Sequence, residues 1–351
     1  MSGVSVDVRE ERPISEFSYT NLILAAKEKA LNGEKLDRES IIALLEIDSD
    51  SINADMLGIA AREVAEVVTG NMASVWASIG VDYKNCAMNC DFCSFGKKWG
   101  LIEQESERST EEIIGLIDRF VSQGARWVTL RTTQFYGFDR LIRLIKEIRL
   151  AVPGNYEIVV NTGEFDDEKA RRLANAGAQV VYHTLRLREG KDTRFRPEDR
   201  IDTLRSVRES PLNLAYLVEP VGMEHSNEEI ADIFLKGMEY GAILSGAMAR
   251  VPLPGTPFSG SGQLSERRHA QIVAVTRLAA GHHAPDICVH PPSRVAMEWG
   301  ANVVVVETGA VPRDTGNCEC EWNGFDMATA RDYFKNAGYA FYSGDENECE
   351  K

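Results

Sequence analysis

From residue 74 onward, short apolar runs alternate with stretches whose apolar positions recur every three to four residues. An apolar run closed by turn residues reads as a buried strand, and the 3.6-residue period reads as a helix. Eight runs fit the strand pattern: Ser74–Val81, Arg126–Arg131, Tyr156–Asn161, Gln179–Thr184, Asn213–Val218, Ala242–Arg250, Ile287–His290 and Asn302–Glu307. The stretches between them carry helix punctuation. Ser109-Thr-Glu-Glu112 and Ser226-Asn-Glu-Glu229 are capping boxes, Pro153-Gly154 stops one helix, and Gly177 closes another. Parallel strands need crossovers, so this alternation predicts a parallel sheet with helices outside. Eight units predict closure into an α/β (β/α)8 TIM-like barrel.

The chain ahead of the first strand has a different pattern. Residues 1–17 are polar. Helical periodicity follows over Asn21–Leu31, Arg38–Leu45 and Ala54–Gly70, with Asn32-Gly33 as a stop between the first two. The expected organisation is a helical N-terminal extension (1–73), a barrel (74–313) and a C-terminal helix with a cysteine-containing tail (314–351).

Composition narrows the function. The 351 residues are 44% hydrophobic and 26% charged, ordinary for a globular protein. A formal net charge of −15 argues against a nucleic-acid or anionic-membrane partner. No apolar run is long enough to span a bilayer, and residues 1–9 do not read as a signal peptide. The expectation is a reducing, cytoplasmic setting.

Three of the seven cysteines stand together as Cys86-Ala-Met-Asn-Cys90-Asp-Phe-Cys93. Thiolates are soft ligands that favour iron–sulfur clusters, zinc or copper(I). Zinc wants a fourth Cys or His at short spacing, and the nearest histidine is His183. Buried unligated thiols are the bland alternative. A cluster with three protein ligands keeps one iron open to an outside molecule, and Phe92 sets an aromatic face beside it.

This C-x3-C-x2-C pattern, with an aromatic before its third cysteine, resembles the signature of the radical S-adenosylmethionine (SAM) superfamily. The resemblance implies a [4Fe–4S] cluster that binds SAM at its open iron. It implies reductive cleavage of SAM to a 5′-deoxyadenosyl radical, which abstracts hydrogen from a substrate. It also implies reduced ferredoxin or flavodoxin as electron donor. Over residues 20–340 the chain resembles the biotin-synthase-like branch, with its helical N-terminus, full barrel and a Pro254-Gly-Thr-Pro257 turn after the sixth strand.

Barrel enzymes build their sites at the C-terminal ends of the strands. Those ends read Thr132-Thr-Gln134, Asn161-Thr-Gly163, His183 to Arg188, Glu219-Pro220, Arg250, His290-Pro-Pro292 and Glu307-Thr-Gly309. Many relatives hold the SAM amino group with a Gly-Gly-Glu-like turn after strand two. Here Thr133 offers a hydroxyl and no carboxylate. For the SAM carboxylate the resemblance points to Arg186 and Arg188, because an arginine fork grips both oxygens. Biotin synthase holds a second cluster inside its barrel, whereas here strands two to six carry no cysteine and Cys288 stands alone on strand seven. His282 and His283 sit at a helix end, where a cation suits the dipole.

Cys318, Cys320 and Cys349 in the tail suggest a second, auxiliary iron–sulfur cluster, against a null of free surface thiols. That cluster motivates sulfur insertion of the two-protein lipoyl synthase type, on a carrier-bound chain and with a paired radical SAM subunit. The alternative is cofactor biosynthesis without sulfur chemistry on a small molecule. It would be of the methylornithine-synthase type or the type of the iron–guanylylpyridinol hydrogenase cofactor maturase, whose C-x5-C-x2-C spacing differs from this one. A non-catalytic iron–sulfur or zinc scaffold is the remote third reading.

Overall fold

Eight parallel strands form the molecule's centre in the computed structural model, which describes residues 16–314 and 317–341. They are β1 Met72–Gly80, β2 Trp127–Arg131, β3 Glu157–Asn161, β4 Val180–Tyr182, β5 Asn213–Ala215, β6 Ala242–Ala249, β7 Asp286–His290 and β8 Val303–Ala310. Each pairs with the next, and β8 closes on β1 through Ser74↔Val303 to Ile79↔Thr308. The closed (β/α)8 barrel expected from the alternation is therefore present. A segment at Val218–Val221 extends the β5 line and pairs with β6.

Helices wrap the outside. Those between strands are α4 Thr110–Ser122, α5 Phe138–Ala151, α6 Asp167–Ala176, α7 Pro197–Arg208, α8 Asn227–Glu239, α9 Glu266–Ala280 and α10 Arg294–Glu298. Both capping boxes form: Ser109 and Ser226 each accept from the backbone N–H three residues on, and Glu112 and Glu229 reach back. Ahead of the barrel, α1 Glu16–Leu31, α2 Arg38–Leu45 and α3 Ile52–Thr69 pack on α9. His282 and His283 face the carbonyls of Leu31 and Gly33, so they meet the open end of α1.

Past the barrel, a strand at Asn317–Glu321 turns back and pairs antiparallel with β8, placing Cys318 opposite Gly309. Helix α11 Met327–Asn336 follows, and Ala340–Phe341 adds a short strand beside the start of β1. The side chains of residues 315–320 and all of residue 349 lie outside the described residues. The side chains of Cys318, Cys320 and Cys349, the expected tail-cluster ligands, are among these. Among the described residues no helix is long and apolar enough to cross a membrane.

Side chains alternate across each strand, so every second residue points into the barrel. The lower interior layer is apolar: Trp76, Trp127, Val159, Val180, Ala215, Leu217, Leu244, Cys288 and Val303. Cys288 is fully buried there as a small apolar group. Two to four residues further along the strands the same inward phase becomes largely polar: Ser78, Thr129 and Arg131, then His290 and Glu307, with Met248 among them. The apolar layer is a floor and the polar layer lines the chamber above it.

Candidate active site

The cysteine loop leaves β1 at the chamber's open end and is shaped largely by its own backbone. Cys86 N donates to Phe95 O (2.7 Å), Lys97 N donates to Cys86 O (3.0 Å), and Cys93 N donates to Cys90 O (3.0 Å). Asn89 takes a left-handed conformation, φ 43°, which asparagine tolerates, and its side-chain oxygen accepts from Lys98 N. At Gly96 any β-carbon would collide with the Trp99 ring. The loop is pinned at two further points. Ser94 donates to Pro312 O, and Asp91 N donates to Asp192 O.

This construction sets Cys86, Cys90, Cys93 and Phe92 in the wall of a cavity enclosing about 1300 Å³, its mouth included. Burial pushes all three thiols up, that of Cys93 to about 11. A tetrahedral zinc ion would hold thiolate sulfurs about 3.8 Å apart. Among the described residues, the only three ligand atoms mutually within 4.8 Å belong to Asp192, Glu224 and His225. The three cysteine sulfurs do not all lie within that distance, a spacing that suits a multi-iron cluster better than a single ion. The Asp192–Glu224–His225 group does not suit a cation. His225 Nδ1 accepts from Gly222 N (2.9 Å), so the neutral ring carries its hydrogen on Nε2 and has no lone pair there to give.

The sequence-predicted SAM contacts separate in the structure. Arg186 lines the cavity with its guanidinium 3.5 Å from Glu189 and 3.7 Å from Glu219. Burial works against its charge, but Glu189, Cys90 and Glu219 outweigh burial and hold it cationic. Its Nη1 has no hydrogen-bond acceptor. Arg188 is absent from the wall. With φ 53°, its side chain turns to Glu229 (2.8 and 3.1 Å) and the Glu224 carbonyl. Thr133 is also absent from the wall: its N–H and hydroxyl both donate to the buried Asp82 carboxylate. Its neighbours Thr132 and Gln134 line the cavity instead.

Other wall residues complete the chamber. Tyr182 donates to Glu219, which also accepts from Thr184 (3.0 Å). Arg200 pairs with Glu164 (3.0 Å) and Glu189 (3.4 Å). Arg250 meets Glu224 with both terminal nitrogens. Glu307 accepts from Arg131 (2.6 Å) and Arg313 (2.5 Å). Burial raises the Glu307 carboxyl, but the charges of Arg313 and Arg131, with the His290 ring beside them, hold it well below the usual range. Glu219, Arg250, His290 and Glu307 were visible as polar strand ends. Arg131, Tyr182, Arg200 and Arg313 were not singled out, although Arg131 and Tyr182 keep the inward alternation of their strands. His183 is buried at the end of β4, outside the cavity wall, with no hydrogen bond to either ring nitrogen.

Comparison with known proteins agrees with this geometry. Residues 81–236 match the radical SAM superfamily. The biotin synthase of Persephonella marina is 24% identical over 273 residues, covering 74% of this chain and 78% of that one. The biotin synthase of a Sulfurihydrogenibium species is 22% identical over 302 residues, covering 83% and 86%. In fold, the chain resembles the FeFe-hydrogenase maturase HydG from Carboxydothermus hydrogenoformans (TM-score 0.72, 16% identity, 92% of this chain and 79% of that one). It also resembles methylornithine synthase, PylB (TM-score 0.74, 17% identity, 90% and 96%). The chain is a radical SAM enzyme, a class that works with a [4Fe–4S] cluster, SAM and an external reductant. Over most of its length the chain is similar to biotin synthases, the type enzymes of one branch of that superfamily.

Proposed function

We propose that Cys86, Cys90 and Cys93 hold the [4Fe–4S] cluster, and that Arg186 binds the carboxylate of SAM from the β4 side. When bound, that pair supplies reductive cleavage of SAM and a 5′-deoxyadenosyl radical for hydrogen abstraction. The chain's own residues do the rest. Phe92 and the cysteine loop cover the mouth, Thr132 and Gln134 offer oxygen acceptors toward the SAM amino group, and the apolar floor excludes water from below. Reduced ferredoxin or flavodoxin fits as donor, in a cytoplasmic setting.

The substrate in this reading is a small polar molecule, and the chemistry is cofactor-building without sulfur transfer. The supporting observation is the chamber wall, where Arg131, Arg186, Arg200, Arg250 and Arg313 surround the cavity above the floor. An octanoyl chain carried as an amide has no free charge to pair with those guanidinium groups, whereas a small polar acid does. Sulfur insertion of the lipoyl type stays as the second reading because the backbone carries Cys318 and Cys320 alongside the end of β8.

The test is anaerobic reconstitution followed by iron and sulfide analysis and 5′-deoxyadenosine formation from SAM under dithionite. About four irons per chain, with SAM cleavage, supports the first reading. About eight, falling to four in the Cys318→Ala/Cys320→Ala variant, favours the second. Zinc without iron overturns both.

A further inference from the structure

The charged groups of the chamber divide into two sides with opposite balance. On the β3–β5 side, Arg186 and Arg200 meet three carboxylates, Glu164, Glu189 and Glu219. That side carries one negative charge in excess and suits a ligand with a net positive charge, as SAM has with its sulfonium. Arg250 and Glu224 balance each other. The side formed by β2, β7 and β8 is different. There, among the described residues, Arg131 and Arg313 share a single carboxylate, Glu307, whose two oxygens are both taken. Burial and Arg313 hold the imidazole of His290 in its neutral form. Among the described residues the corner therefore holds one positive charge more than its own carboxylate balances, with Glu219 the next carboxylate in electrostatic reach of Arg313, and its side chains are largely buried, Glu307 at 3% exposure and Arg313 at 13%. An unpaired charge in such a place is costly.

The hydrogen bonds show where the missing partner belongs. Among the described residues, Arg313 Nε is buried without an acceptor. Its Nη1 meets the Met248 sulfur (3.3 Å), a weak acceptor. His290 Nε2 lies 3.0 Å from Glu307, so the hydrogen of the neutral ring belongs on that nitrogen and Nδ1 is a lone pair that gives an anion no donor. Arg313 and His290 both line the cavity, and the Trp322 ring lies beside both.

From this we infer that Arg313, in the corner it shares with Arg131 and His290, binds a carboxylate on the substrate, so that the enzyme acts on a small organic acid held at the β7–β8 side, opposite Arg186. The inference rests on the radical SAM reading of the cavity and specifies its substrate class. One singly charged, planar anion matches both the single excess charge and the free guanidinium edge. A phosphate monoester, with nearly two charges, would overcompensate. The corner has a rival use. Cys93 lies within electrostatic reach of Arg186 and Arg313, so Arg313 could serve the cluster alone.

The test uses the reconstituted full chain with saturating SAM, so that Arg186 is occupied. Iron content and 5′-deoxyadenosine formation are measured first; their absence sinks the radical SAM reading, not the carboxylate assignment. Hexanoate and hexanamide are then titrated, with binding followed by calorimetry and by tryptophan fluorescence. The expected result is saturable hexanoate binding at least tenfold tighter than hexanamide. Arg313→Gln should lose that preference at unchanged iron content, and Arg313→Lys should regain part of it, which separates the effect from misfolding. Equal binding of acid and amide overturns the inference. So does hexanoate binding only without SAM, or iron lost from Arg313→Gln in step with binding.

Discussion

Glu307 accepts from two buried arginines and lies against a buried histidine, so its charge holds two cations in place. Removing one member of a buried ion group leaves the others unpaired, at a cost of about 3–5 kcal/mol. Glu307→Gln should lose that much in urea unfolding, while Arg313→Met, which leaves Arg131 paired, should lose less. Equal losses would mean that the arginines do not share the carboxylate. The cysteine ligands make a sharper test. Each of Cys86→Ala, Cys90→Ala and Cys93→Ala should abolish 5′-deoxyadenosine formation from SAM. A single variant that still forms it removes that residue from the ligand set. At this scale the sequence shows spacing but not direction. The cysteine triad was legible because its chemistry lies in three positions of one loop. Arg186 and Arg188 look equivalent in sequence, and only the positive φ of Arg188 turns its side chain toward Glu229. Thr133 lost its assignment to Asp82, a contact 51 residues apart along the chain.

At the scale of elements, α9 differs from the other barrel helices in being buried on every side, between the barrel and the N-terminal helices. Its His269 lies against Ala247 O, with His290 and Glu266 the titratable groups nearby. Burial pushes the His269 imidazole down to about 4. The unfolded ring titrates near 6.5, so below that pH the unfolded chain binds the extra proton and stability falls as pH drops toward 4. Between pH 7 and pH 5 the wild type should lose about 2 kcal/mol more than His269→Gln in chemical denaturation. Equal losses would remove His269 as the cause. The strand pair β6–β7 is equally sensitive. Gly246 has φ 130°, and a β-carbon there would overlap the Cys288 carbonyl. Gly246→Ala should cost about 3 kcal/mol in the same assay. The eight strands were legible in order because each is an apolar run followed by a punctuated helix. The Asn317–Glu321 strand was missed, since Asn-Cys-Glu-Cys-Glu has no apolar alternation and its strand form comes from pairing with β8.

The whole molecule sets a cationic chamber corner inside a strongly acidic chain. Net charge is −15 at pH 7, and such a surface repels an approaching anion over the Debye length. A small acid must therefore cross an unfavourable field before it reaches Arg313, whereas a neutral amide meets no such barrier. Raising salt from 20 to 200 mM shortens screening from about 20 Å to about 7 Å, which removes the outer repulsion and leaves the buried corner much less affected. Stopped-flow tryptophan fluorescence with SAM present should then show the hexanoate on-rate rising several-fold across that range, with the dissociation rate nearly constant. Hexanamide association should stay flat. An on-rate for the acid that falls with salt would mean that the mouth itself is cationic and steers acids inward. In that case the surface charge belongs to the far side of the barrel, and the field that selects the substrate begins outside the chamber.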